Sequence, residues 1–233
     1  MNRRNLTIIV VIILALLAGG GYFVYTSFIV EPELSDDISN VAATIDNTGE
    51  GTQFRIDAEQ SEVTFTLEED LRGTRTTVVG TTNQVGGDIV INFAAPENSQ
   101  VGTITINARS IATDNPLRNG QIRNSILQSA NDDYEFITFT PTDLSGLPES
   151  VEIGDTYTFQ IVGDLTIVET TNAVTFDTTV TIDSEEQISG SATATVLRTD
   201  FGLNIPNVPG VANVTDDVDL AINFVANAVN ETE

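Results

Sequence analysis

From Phe54 onward, apolar and polar residues of this chain alternate one by one, and the alternation recurs along most of its length. Val63, Phe65 and Leu67 are separated by Thr64 and Thr66, and Ile104 and Ile106 by Thr105. The same spacing recurs in Ile89, Ile91 and Phe93; in Phe159, Ile161, Leu165 and Ile167; in Val174, Phe176, Val180 and Ile182; and in Val218, Leu220, Ile222 and Phe224. Successive side chains of a strand point to opposite faces, so this period marks strands with one buried and one wet face. The threonines on the polar phase agree with strand preference. Turn signals at Gly86-Gly87, Pro96-Glu97-Asn98, Gly146–Pro148 and Asp183-Ser184-Glu185 divide the pattern into eight or nine strands with short connections. The expectation is an all-β antiparallel meander that closes into a barrel or folds into a sandwich, because either arrangement deals with exposed strand edges.

One helix interrupts the pattern. Leu117–Ser129 places Leu117, Ile122, Ile126 and Leu127 on one stripe, with Asp114 or Asn115 as cap and Pro116 in the first turn. One strand is unusual: Ile188, Gly190, Ala192, Ala194 and Val196 share a face whose three middle members are very small. Either another element approaches closely there, or the small side chains border a hole. An eight-stranded barrel has an interior that side chains can just fill or that can hold one small ligand.

Ahead of the strands, Leu6–Val30 is a run of 25 residues without a charge, preceded by Arg3 and Arg4. As a helix it reaches roughly 37 Å, enough to cross a hydrocarbon core of about 30 Å. The arginines favour keeping residues 1–5 in the cytoplasm, which puts the rest outside. A cleaved signal peptide competes, with Leu6–Ala18 as its core and Gly19–Gly21 as the cleavage region. The apolar run resumes at once through Tyr22, Phe23, Val24 and Tyr25, and the tyrosines suit a membrane interface, so a single uncleaved anchor over 6–30 is preferred. Residues 31–52 read as an acidic linker that extends by self-repulsion. Residues 53–228 form the domain and 229–233 a short tail.

Composition narrows the function. Removing Arg3 and Arg4 takes the net charge from −25 to about −27, which repels nucleic acid and anionic headgroups. All nine basic residues are arginine, a bias that fits either a saline habitat or lineage composition. With no cysteine there is neither a disulfide nor a thiolate ligand, and with no histidine the usual general base and metal ligand are missing. Triad hydrolysis and zinc chemistry lose their central residues, so the expectation is no enzyme, no metal and no cofactor. Asp216, Asp217 and Asp219 lack calcium-loop spacing and read as strand-edge solvation. Asn213-Val214-Thr215 and Asn230-Glu231-Thr232 fit the glycosylation sequon, a short pattern common by chance in such a chain.

An ordered set of segments resembles the YceI-like family of lipocalin-like, polyisoprenoid-binding proteins. Phe54-Arg55-Ile56-Asp57 with Ser61-Glu62-Val63-Thr64-Phe65 is similar to its first hairpin, and Gly80 to the glycine after its second strand. Ser110–Asn115 with Arg118, Phe136–Phe139, Gly163–Ile167, Arg198–Leu203 and Asp216–Val218 resemble later family segments, in family order. Departures are Phe54 for tryptophan, Gln60 for histidine, and Asn119 and Gln121 for the aspartate and histidine after Arg118. The resemblance implies a lipocalin-like barrel that binds a polyisoprenoid or isoprenoid quinone without covalent attachment.

Candidate pocket residues are Phe65, Ile91, Phe93, Ile104, Phe139, Phe159, Ile161, Phe176, Gly190, Ala192, Ala194 and Phe201. Asp114, Arg118, Arg198 and Asp200 are candidates for a polar mouth, although an arginine tied to backbone carbonyls at a barrel corner is the plainer reading. The functional expectation is a membrane-anchored lipid carrier on the periplasmic or extracellular side. The alternative is a ligand-free structural or adhesive β-module. Oligomeric state is left open.

Overall fold

The computed structural model describes residues 21, 22, 25, 33–35, 37–47 and 51–229. The anchor expected over 6–30 therefore lies outside the described residues apart from three positions. Among the described residues no helix is long and apolar enough to cross a membrane.

Among the described residues thirteen strands form one antiparallel sheet. They are β1 (Thr52–Ile56), β2 (Glu62–Leu71), β3 (Thr74–Thr82), β4 (Val85–Gly86), β5 (Asp88–Ile91), β6 (Gln100–Val101), β7 (Ile104–Asn107), β8 (Phe136–Ser145), β9 (Thr156–Ile167), β10 (Thr170–Ile182), β11 (Gln187–Leu197), β12 (Val211–Ala212) and β13 (Asp217–Ala228). The long strands pair in the order β3-β2-β13-β11-β10-β9-β8-β7, and β7 then pairs with β4, two residues beyond the end of β3. The ring is thereby closed. β1 and β2 act as one broken strand along β13: Ile222 lies opposite Val63, and Ala226 opposite Ile56. Counted this way the wall has eight staves, in accord with the alternation in the sequence. The closing contact is short, since only Val85 with Ile106 and Gly86 with Thr105 pair there.

The inward phase is the one the periodicity gives. Odd residues of β2 and β9 and even residues of β10, β11 and β13 face the interior. One row, Ile182–Ile188–Ala226–Ile56, runs across four staves in register and, with Phe54 and Val85, fills the lower end. Phe54 and Ile188 are fully buried, and each such side chain contributes about 1.5–3 kcal/mol. Ile91 belongs to this cluster and Phe93 packs against it.

The upper end carries the two-residue β2–β3 turn, the insertion between β7 and β8, and the segment from Arg198 to Asp216 between β11 and β13. Arg72 and Gly73 both have positive φ (52° and 83°), the geometry that matches a tight hairpin to the twist of its strands. The insertion holds helix α2 (Pro116–Gln121) and one wider turn over Ile122–Ile126. Asn115, rather than Asp114, caps it, accepting from the Leu117 and Arg118 amides. Ile122 and Leu127 are buried as the stripe requires, but Leu117 is 55% exposed.

Helix α1 (Ile38–Val41) changes the reading of the acidic segment. Part of the stretch expected to extend as a linker is held against the outside of the barrel. Ile38 is buried against β4, where Gly86 leaves room for Ala42. The Ser35 amide donates to Glu135 Oε1 (3.0 Å) and the Ile45 amide to Asp88 Oδ2 (3.0 Å). The clasp lies over the short β4–β7 closure, covering the weakest edge of the ring. It also buries Thr105 and Asn107, which the alternation assigns to a wet face.

Two carboxylates fasten the clasp, and both are 1% exposed. Burial pushes Asp88 up, but the Arg55 guanidinium (2.8 Å to Oδ1), the Ile45 amide and Gln53 outweigh it and hold the carboxyl below its usual range. Burial likewise opposes ionisation of Glu135, and is overcome by Ser35, Asn107 (2.8 Å) and Arg109 (3.0 Å).

Candidate functional site

Between the filled lower end and the upper-end insertion the barrel is hollow. A cavity of about 660 Å³ occupies it, inside the range of roughly 300–1,000 Å³ usual for ligand pockets. Its wall is almost wholly apolar. Of the twelve pocket candidates, Phe65, Ile104, Phe139, Phe159, Ile161, Phe176, Ala192 and Phe201 line it. Phe139 and Phe176 meet edge-on with ring centroids 4.9 Å apart.

Four candidates stand elsewhere. Ile91 and Phe93 pack into the lower cluster, and Ala194 packs against a second cluster that includes Phe139, Leu165 and Phe201 without lining the cavity. Gly190 is the informative correction. The ring of Phe224, its cross-strand partner, lies over it, so a methyl group there would stand 2.8 Å from Phe224 Cζ. Gly80 under Phe65 and Gly163 under Phe139 repeat the device. Of the two readings of the small-residue strand, close approach explains Gly190 and the cavity explains Ala192.

The charged residues of the wall gather at the upper end, where Leu71, Leu117, Gln121, Ile205 and Pro209 also form a rim. Arg118 reaches the cavity from α2 and is paired twice, to Glu69 (2.8 Å) and to Asp114 (2.6 Å). Glu69 is buried and lines the cavity, whereas Asp114 points away into solvent. Sequence reasoning passed over Glu69, yet its signal was readable. It continues the inward phase Val63-Phe65-Leu67, where a carboxylate is out of place without a partner.

Arg198 lines the cavity from below the strap that follows β11. Its Nε donates to the Thr215 carbonyl (3.1 Å) and its Nη1 to the Leu203 carbonyl (3.0 Å), tying together the two ends of the strap. Asp200 is not its partner. Asp216 lies 3.8 Å away and serves chiefly as acceptor for the Thr199 hydroxyl (2.6 Å) and amide; these bonds keep its carboxyl below the usual range. The strap is further stitched to β2 by β12 and by Asn213 Nδ2 on Asp70 (2.6 Å).

Two of the family-divergent positions also find places. Asn119 accepts from the Thr113 amide and hydroxyl (2.8 and 2.7 Å), closing its own loop, and Gln121 faces the cavity. Among the described residues, no three side chains of the metal-binding types are grouped to hold an ion.

An eight-staved barrel with one end plugged, an apolar hollow and a polar rim defines a class: small β-barrels with room for a single apolar guest. The family model of the YceI-like domain matches residues 54–226, and the chain belongs to that family. Its fold is similar to a polyisoprenoid binding domain from Saccharophagus degradans implicated in plant cell wall breakdown, at TM-score 0.60 and 16% identity, covering 76% of this chain and 98% of that one. It is also similar to BcnA of Burkholderia cenocepacia (TM-score 0.58, 17% identity, 74% and 99% covered). A Campylobacter jejuni YCEI protein is similar over 65% of this chain and 85% of its own, at 18% identity and TM-score 0.51. No curated protein matches the chain.

Proposed function

We propose that this protein is a membrane-anchored, extracytoplasmic carrier that holds a polyisoprenoid or isoprenoid quinone in the barrel, tail inward and head at the rim. The observation that carries the reading is the apolar hollow of about 660 Å³ with its charged groups confined to one end. Such a site suits a long apolar chain with a single polar terminus. Family membership and the polyisoprenoid binding named for a structural neighbour support the ligand class. Tail burial drives binding at about 25 cal/mol per Å². Since Arg118 is already paired with two carboxylates, the head it meets is best neutral, a quinone carbonyl or a hydroxyl. The reading assigns no catalytic step to the wall.

Anchoring and location rest on the uncharged run 6–30 and on Arg3 and Arg4. The structural-module alternative calls for a filled interior, and the hollow weighs against it. Native mass spectrometry of protein purified from a lipid-containing host tests the carrier. A bound mass matching an isoprenoid is expected, and repeated recovery of the bare chain would favour the module.

A further inference from the structure

The clasp fixes where the chain enters the folded domain, and therefore which end of the barrel lies nearest an N-terminal anchor. The Glu33 carbonyl accepts from Arg109 Nη1 (3.4 Å), and Ser35 is bonded to Glu135. Arg109 lies two residues past the upper end of β7, where it also donates to the Ser129 carbonyl (2.6 Å). Glu135 directly precedes the upper end of β8. From there the clasp descends past β4 to Asp88, where Ile45 is held, before β1 begins. The chain thus joins the barrel at the rim of the cavity and not at the plugged end.

Val30, the last residue of the uncharged run, is three residues from Glu33, a reach of about 10 Å. A twelve-residue stave such as β9 spans roughly 30 Å once tilted about 40°. We propose that the barrel is held rim-down, with α2, the β2–β3 turn and the strap of residues 203–214 resting on the lipid bilayer that contains the anchor. The ligand then passes from bilayer to cavity without crossing water. The proposal rests on the anchor assigned under the proposed function and adds the orientation and the docking surface.

The chemistry of the two ends agrees. Leu117 stands exposed at the rim, and Val208 and Pro209 line the cavity opening from the strap. Of the seven arginines after Val30, six (Arg72, Arg75, Arg109, Arg118, Arg123 and Arg198) lie on upper-end elements. Arg72, exposed on the β2–β3 turn, has no carboxylate partner among the described residues and is placed to meet a lipid phosphate. The lower-end loops carry Glu149, Glu152, Asp155, Asp183, Glu185 and Glu186 and no arginine; the upper end carries carboxylates as well, but Glu68, Asp114 and Asp132 there are each paired with an arginine.

Because the chain has no cysteine, single-cysteine labelling tests the orientation directly. Leu117→Cys and Asn207→Cys report the rim, and Ile153→Cys, at a residue as exposed as Leu117, reports the lower end. Asn207 is exposed and does not line the cavity, so it controls for a dye that enters the hollow. The full chain is reconstituted in phosphatidylcholine–phosphatidylglycerol vesicles, floated, and probed with headgroup spin-labelled lipid. Quenching at both rim positions at least twofold greater than at position 153 is the expected result. A chain that fails to float overturns the anchor and the orientation together. A floating chain quenched most at 153, equally at all three positions, or at 117 alone overturns the orientation and leaves the anchor standing. Rim labels shielded from aqueous iodide without quenching by lipid would overturn it too, assigning the rim to a protein partner or a second copy.

Discussion

Replacing Ala192 with phenylalanine separates a cavity from a packed core more cleanly than any deletion. Ala192 lies on the cavity wall between Thr178 and Ile222 of the neighbouring staves. The added ring occupies space of about one isoprene unit. Five carbons at up to about 0.8 kcal/mol each amount to roughly 4 kcal/mol of lost tail burial. At 1.4 kcal/mol per factor of ten, affinity falls by as much as roughly a thousandfold, and by at least tenfold if half of the displaced tail finds other wall. Stability moves the other way. Burying the new ring contributes about 1.5–3 kcal/mol, so the ligand-free variant melts at the wild-type temperature or above it. Insertion into a filled core would instead cost about 1–3 kcal/mol. Isothermal titration with a long isoprenoid and thermal unfolding followed by circular dichroism report the two halves. Unchanged affinity, or a marked fall in melting temperature, would refute the hollow.

Arg198→Ala frees both ends of the strap from their shared guanidinium and is expected to cost about 2 kcal/mol, with Arg198→Lys restoring little, since one ammonium does not reproduce the fork; urea unfolding and exchange at the Leu203 amide read this. Gly190→Ala forces a methyl group against the Thr179 carbonyl oxygen and the Phe224 ring and should destabilise by roughly 1–3 kcal/mol, whereas a neutral result would mean that neither approaches the glycine so closely. Asp88 and Glu135 have folded pKa values below their unfolded ones, so the stability they give the clasp is complete above the unfolded values and is lost as pH falls through the folded ones. Exchange protection of the Ser35 and Ile45 amides should therefore hold between pH 8 and 6 and fail in acid before that of strand amides such as Val180; loss in step with the strands would disprove it.

How much of this was legible in the sequence depended on whether a contact is periodic or remote. Alternation fixed the inward phase of β2, β9, β10, β11 and β13, because a one-residue slip would turn every side chain outward. It did not distinguish Phe176, which lines the hollow, from Ile91, which fills the lower end; both lie on buried phases of strands. The asymmetry is three-dimensional, set by the row from Ile182 to Ile56 that closes one end only. The pairing of Gly190 with Phe224 spans two strands and needs their register, although the glycine itself signalled a close approach. Arg198 is tied to the backbone carbonyls of Thr215 and Leu203, the plainer of its two readings, and the carboxylate near it is Asp216, returned by the strap, and not its sequence neighbour Asp200. The clasp was hidden most completely. Its acidic composition argues for extension, and only the paired burial of Asp88 and Glu135, 43 residues from Ile45 and 100 from Ser35, reverses that.

The central claim is that apolar area in the hollow does the binding. Titration of the protein with isoprenoids of graded length, all bearing the same head, tests it most directly. Affinity should rise with each added unit until the cavity is full and then level off, remain unchanged between pH 6 and 8, and leave every lipid chemically unaltered. Affinity indifferent to tail length would contradict the account.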